Sequence, residues 1–283
     1  MLKKLLTKSF LTRSISAVFL AAAALITLLA GGTITFAVIT VISFIGLMEL
    51  LRVYRIHKTW LGFGSYLIAA GYYGLLWMEQ SRQGILQEYF PMLVILLIML
   101  LMAVYVLTFP KFHAEQVMAA FFGVFYVAVM LSYVYQIRIL SGGVILVWLV
   151  FLSSWICDTC AYLTGVTMGS RKLAPILSPN KSVEGGVGGV FGSFLFSVLF
   201  GVLFQESLRN VFENPALSCG IVGALGAVVS QIGDLCASAI KRNKEIKDYG
   251  TLIPGHGGIL DRFDSVIFVA PAIYYLCIYL GRQ

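Results

Sequence analysis

Apolar runs long enough to cross a bilayer recur along the whole chain, and this repetition limits the fold more than any other feature. Only helices and closed barrels satisfy their backbone polar groups in lipid. The runs are continuous rather than alternating, which excludes a barrel, and they reach the length of about 18 residues that a membrane helix needs. The 283 residues are 59% hydrophobic and only 12% charged, whereas soluble domains are about 25% charged. The chain is therefore read as all-α, a polytopic integral membrane protein. Nine spans are predicted, at 15–30, 33–51, 60–78, 90–109, 116–136, 143–167, 187–205, 216–240 and 264–280.

A net charge of +7 would point a soluble protein toward nucleic acid. Here the charge follows topology instead, and no nucleic-acid partner is expected. Cytoplasmic loops carry excess Lys and Arg. With the amino terminus inside, sixteen of the 20 basic residues fall on inner segments, and only Arg82, Arg138, Arg209 and Arg282 fall outside. The predicted topology is N-in/C-out, in the cell membrane, with the charged loops facing the cytoplasm. The Lys-rich start and the Ala21–Ala24 run also fit a signal peptide. The run is long for one, and no small-x-small exit follows it.

The chain divides into N-terminal transmembrane helices over 1–140, without a polar constellation, and a C-terminal half over 141–283 that holds the chemistry. Glu49, beside Arg52, reads as an interfacial residue, and His57 and His113 as ordinary loop residues. Cys157 and Cys160 form a CxxC inside a predicted span without a second pair, and read as small packing residues rather than a metal or redox site.

All five aspartates lie between Asp158 and Asp264, and four of them between Asp234 and Asp264. An aspartate inside a span is costly and marks a functional site by default. Ser230, Asp234, Ser238 and Lys241 share one helix face, with Asp234 about 10 Å deeper than Lys241 along the axis. Such a stripe lines a cavity descending from the membrane surface. Ser154, Asp158 and Tyr162 repeat the pattern, and Asp261 and Asp264 face one point where a helix starts. Hard oxygen donors of this kind suit Mg²⁺, which binds one or two carboxylates together with substrate phosphates. Polar contact between helices is the other reading, strongest for Asp158.

Arg171, Lys172 and Lys181 lie in the loop before a Gly-rich stretch. They serve equally well as phosphate contacts, with Gly185, Gly186, Gly188 and Gly189 admitting a phosphate to the backbone, or as topology signals. His256 is either a positioned group or a passenger in a glycine turn. Carboxylates beside lysines and arginines at a membrane surface point to phosphoryl or nucleotidyl chemistry on a lipid.

Over 238–264, Ser238, Lys241-Arg242, Lys247-Asp248, Gly250, Ile253-Pro254, His256 to Ile259, Asp261-Arg262 and Asp264 resemble the signature of the phosphatidate cytidylyltransferase, or CDP-diacylglycerol synthase, family. Upstream, Asp158-Thr159, Ala161-Tyr162, Lys172 to Pro175, Ser178-Pro179, Lys181 and Glu184-Gly185 resemble its other cytoplasmic block. The likeness is specific over about 150–265. Three positions depart from it: Cys160 stands where a glycine is usual, Val166 replaces an arginine, and Ser182 replaces a threonine.

The resemblance implies that CTP and phosphatidic acid give CDP-diacylglycerol and pyrophosphate. It also implies a dimeric membrane enzyme using Mg²⁺, with a monovalent cation such as K⁺ beside it. On that reading Asp234 and Asp261 are the leading metal ligands, and Asp264 and Asp158 further candidates. Lys181, Lys241, Arg242, Lys247 and Arg262 hold triphosphate or lipid phosphate, with Arg171, Lys172, Ser238 and Asp248 in the substrate-binding set. His256 orients or protonates the leaving pyrophosphate. Two other classes fit less well: a CTP-dependent lipid or polyprenol kinase, which needs a general base for a hydroxyl, and an ion-coupled transporter, for which no inverted repeat is evident.

Overall fold

The computed structural model describes residues 22–253, 255 and 257–282. The first seven residues of the first predicted span, 15–21, lie outside these residues, as does His256; residues 22–30 are helical. Then follow α1 (Gly32–Val53), α2 (Trp60–Met78) and α3 (Ile85–Leu107). Next come α4 (Ala114–Ile139) and α5 (Gly143–Met168), α6 (Val183–Leu203), α7 (Pro215–Asn243) and α8 (Leu260–Leu280).

Seven of these helices, all except α2, are long and apolar enough to cross a membrane, as a polytopic membrane protein requires. The 19 residues of α2 carry no charge, but glycines and tyrosines dilute their hydropathy. Gly64 and Gly71 instead let α2 lie close to Leu100 and Leu93 of α3, the small-residue packing usual between helices in lipid.

One correction concerns the all-α reading. The loop after α5 folds into an antiparallel hairpin, β1 (Lys172–Ala174) and β2 (Ser178–Ser182), with Lys172 opposite Ser182. Helix bounds also shift. At α6, Ser182 Oγ accepts the Gly185 amide at 3.1 Å, and at α7, Asn214 Oδ1 accepts the Leu217 amide at 3.2 Å with Pro215 behind it. These caps satisfy amides that a helix start leaves free. At its other end α7 runs on past the apolar stretch and carries Lys241 and Arg242 in its last turn.

Two helices contain π-helical segments, Val124–Val129 in α4 and Leu152–Ile156 in α5. Such segments interrupt the regular helical register and are frequent at functional sites. The second ends immediately before Cys157-Asp158. A continuous core joins both halves of the chain, with Leu47 and Leu50 of α1, Val127 and Leu131 of α4, Val222 of α7 and Ile267 of α8 among its members.

The loops gather at two ends. At one, the Gln116 side-chain amide donates to Tyr54 O at 3.2 Å, Lys244 pairs with Glu115, and Glu49 meets the start of α8. At the other, the Arg282 amide donates to Val211 O at 2.8 Å, and Phe212 bridges to Gly281. The first end carries most of the described lysines and arginines, and Arg82, Arg138, Arg209 and Arg282 lie at the second.

Candidate active site

Two residues of the face predicted on α7 reach a cavity, while Ser230 is buried and Ser238 lies outside the lining. Asp234 and Lys241 line one cavity of about 490 Å³ with Asp158 of α5 and Asp261, Arg262 and Asp264 of α8. Phe151, Trp155, Phe263 and Val266 form its apolar part. Lys181, at the end of β2, reaches across to form an ion pair with Asp234. Four carboxylates therefore meet three cations, Lys181, Lys241 and Arg262, around one space.

A second cavity, about 520 Å³, opens beside the hairpin. Its polar lining includes Asp158, Tyr162, Asn180, Lys181, Ser182 and Gln231. Asp158 borders both cavities and is exposed to them. Ser154, one turn earlier, is buried and shares a hydroxyl hydrogen bond of 2.7 Å with Ser265. Asp264 Oδ1 accepts the Ser265 amide at 2.8 Å.

Asp261 is 5% exposed and bonded through both oxygens. Oδ1 faces Lys241 Nζ at 3.0 Å. Oδ2 accepts the amides of Tyr249 at 2.8 Å and Gly258 at 2.9 Å. Lys241 lies 5.4 Å from the centre of the Tyr249 ring, a cation–π contact. Burial pushes the Tyr249 phenol well above its usual range, reinforced by Tyr126 and then by the Asp261 and Asp264 carboxylates. It stays neutral and donates to Ala237 O at 3.0 Å. The loop is closed by the Ile253 amide on Gly257 O at 2.8 Å. Gly257 has φ +83°, and a Cβ there would come 2.8 Å from Asp261 Oδ2. Only glycine meets both conditions.

Other sequence candidates stand apart. Arg171 and Lys172 are exposed on the hairpin, with the Arg171 amide on the Glu184 carboxylate. Arg242, Lys247 and Asp248 are exposed and Ser238 is half-buried, all outside the cavity lining. The Gly-rich stretch is largely a packing face. A Cβ on Gly188 would strike Thr164, and one on Gly189 would lie 2.8 Å from Cys157 O. Gly185 and Gly186 border the second cavity. Cys160 fills the space against Gly192, Ser182 caps α6, and Val166 lines the second cavity.

Among the described residues, no group of three or more acidic, histidine or cysteine side chains forms a closed metal cluster. The donors still suit Mg²⁺, because a Mg²⁺ ion shared with phosphates needs only one or two carboxylates from the protein. Asp158, Asp234 and Asp264 offer hard oxygens to the cavity, as does Asp261 through Oδ1.

Sequence reasoning missed Glu49. It is 2% exposed rather than interfacial, and accepts the amides of Ile259 at 3.1 Å and Leu260 at 2.8 Å. Its signal was present: a carboxylate in an apolar span is rarely idle. Gln231 was also missed; its side-chain amide donates to Gly186 O at 3.0 Å.

Comparison with known proteins identifies the family. A family model described as the cytidylyltransferase family matches residues 11–280. A phosphatidate cytidylyltransferase of Staphylococcus saprophyticus is 31% identical over 266 residues, 94% of this chain and 98% of that protein. One of Bacillus subtilis is 34% identical over 180 residues, 63% of this chain and 65% of that protein. One of Staphylococcus aureus is 37% identical over 153 residues, 54% of this chain and 56% of that protein. The last two alignments each span less than two thirds of the relative.

Proposed function

The chain belongs to the cytidylyltransferase family, and we propose that it is a phosphatidate cytidylyltransferase, converting CTP and phosphatidic acid to CDP-diacylglycerol and pyrophosphate. The observation that carries this reading is the cavity where Asp158, Asp234, Asp261 and Asp264 meet Lys241 and Arg262 beside an apolar wall. That composition suits a phosphate on a lipid.

A phosphatidate oxygen attacks the α-phosphorus of CTP. The bond from oxygen to that phosphorus forms as the bond to the bridging oxygen of the β-phosphate breaks, and pyrophosphate leaves with the electron pair. Phosphatidate arrives ionised, so no general base is needed. Both reactants are anions, and positioning with charge neutralisation is the main task. Lys181, Lys241 and Arg262 supply positive charge to the phosphates. Asp234 and Asp261 would hold Mg²⁺, with Asp158 and Asp264 beside them, and bound Mg²⁺ neutralises triphosphate charge. The apolar wall at Phe151, Trp155 and Phe263 suits the glycerol and acyl stems. The polar cavity beside the hairpin suits the nucleoside. A monovalent cation such as K⁺, a homodimer, and a role for His256 at the leaving pyrophosphate belong to the same reading.

The finer topology is nine spans, N-in/C-out, in the cytoplasmic membrane, with the site facing the cytoplasm. Its support is the gathering of basic residues at the site's end of the molecule. A kinase or transporter is not favoured by the family. Purified protein with labelled CTP and phosphatidate tests the assignment. Pyrophosphate release dependent on both substrates is expected. Release of CDP, or ion flux without pyrophosphate, would overturn it.

A further inference from the structure

We propose that Glu49, on α1 in the half of the chain remote from the signature, is a positioning residue that fixes the loop over 249–260 and through it Asp261. The proposal deepens the cytidylyltransferase reading and rests on it for its consequence on turnover.

Glu49 is almost completely buried, and no lysine or arginine pairs with it among the described residues. A buried carboxylate is costly unless hydrogen bonds replace its water. Its two oxygens take the amides of Ile259 and Leu260, at the start of α8. There a carboxylate also meets the positive end of the helix dipole. Asp261 takes the amides of Tyr249 and Gly258. Four amides of one loop are thus divided between two carboxylates on different helices.

The glycines make the contact closer. A Cβ added at Gly250 or Gly258 would collide with the Glu49 carboxylate, which provides all three nearest atoms at Gly258. Two glycines of the signature stretch therefore leave room for a side chain about 200 residues earlier. Glu49 does not line either site cavity, so it acts through the loop and not on substrate.

The test uses the full-length protein with Glu49→Gln, Glu49→Ala, Gly258→Ala and the Glu49→Ala/Gly258→Ala double variant. Glu49→Gln keeps one acceptor and turns an amide donor toward an N–H. It should raise amide exchange at Ile259 and Leu260 about 10-fold or more while exchange in α5 and α6 stays unchanged. In the assay of CTP with phosphatidate, kcat should fall about 10-fold or more with a smaller change in KM. Gly258→Ala should disturb the same amides. In the Glu49→Ala background it should add little, because the Cβ enters space the carboxylate has left. Additive effects, a uniform rise in exchange across all helices, or wild-type kcat in Glu49→Gln would overturn the proposal. The exchange measurements need no substrate. If the wild-type protein releases no pyrophosphate, the functional reading fails while the exchange results still decide the clamp.

Discussion

Lys241 Nζ lies 3.0 Å from Asp261 Oδ1 and 5.4 Å from the centre of the Tyr249 ring, so one cation joins the end of α7, the start of α8 and the loop between them. The pair is mostly screened from water, and the second oxygen of Asp261 is committed to two amides. Lys241→Gln leaves a buried carboxylate without its cation. A charge-assisted hydrogen bond is worth about 1.5–3 kcal/mol, so kcat/KM should fall about 10- to 150-fold. Thermal stability in detergent should fall with it. Activity and stability both within twofold of wild type would show that the pair is incidental.

Asp234→Asn and Asp261→Asn are each expected to abolish turnover while membrane insertion stays intact. Both carboxylates border the same cavity, and each faces a lysine, Lys181 for Asp234 and Lys241 for Asp261. If the two carboxylates hold Mg²⁺, neutralising either one removes Mg²⁺ affinity, and it leaves that lysine without its partner. A Mg²⁺ titration of pyrophosphate release checks this, and near-normal activity of either variant at low Mg²⁺ would sink the assignment.

The apolar helices were legible because hydropathy is a local property that survives without tertiary context. Their ends were less so. The last turn of α7 holds Lys241 and Arg242, where hydropathy falls but backbone hydrogen bonding continues. The Asp234–Lys241 stripe was legible because helical spacing fixes which residues share a face. The hairpin was not, since its strands are three and five residues long and rich in polar residues and proline. Glu49 was misread because its meaning lies in the amides of Ile259 and Leu260, which no pattern around Glu49 itself reveals.

Membrane sidedness has a direct test. Asn210 and Lys247 are exposed on the loops before and after α7. In a background without reactive native cysteines, Lys247→Cys should react with an impermeant maleimide only from the cytoplasmic side. Asn210→Cys should react only from outside. Labelling of both from one side would refute the nine-span arrangement.

Charge that positions phosphate can be separated from charge that sets topology. Lys181 pairs with Asp234, and Arg262 lines the same cavity. Lys3 and Lys4 lie in the amino-terminal segment, outside the described residues. All four are basic and on inner segments of the predicted topology, so the positive-inside rule treats them alike. If Lys181 and Arg262 hold phosphates, replacing either with Gln removes a charge-assisted hydrogen bond, worth about 1.5–3 kcal/mol. At about 1.36 kcal/mol per decade, kcat/KM for CTP should fall about 10- to 150-fold. Lys181→Gln also releases Asp234 from its ion pair, so its loss should sit at the upper end of that range. The same change at Lys3 or Lys4 should leave kcat/KM within about twofold, because neither lies in the blocks that resemble the family signature. The four variants, assayed at matched expression, decide the matter: equal small effects at all four positions would assign Lys181 and Arg262 to topology and remove them from the phosphate site.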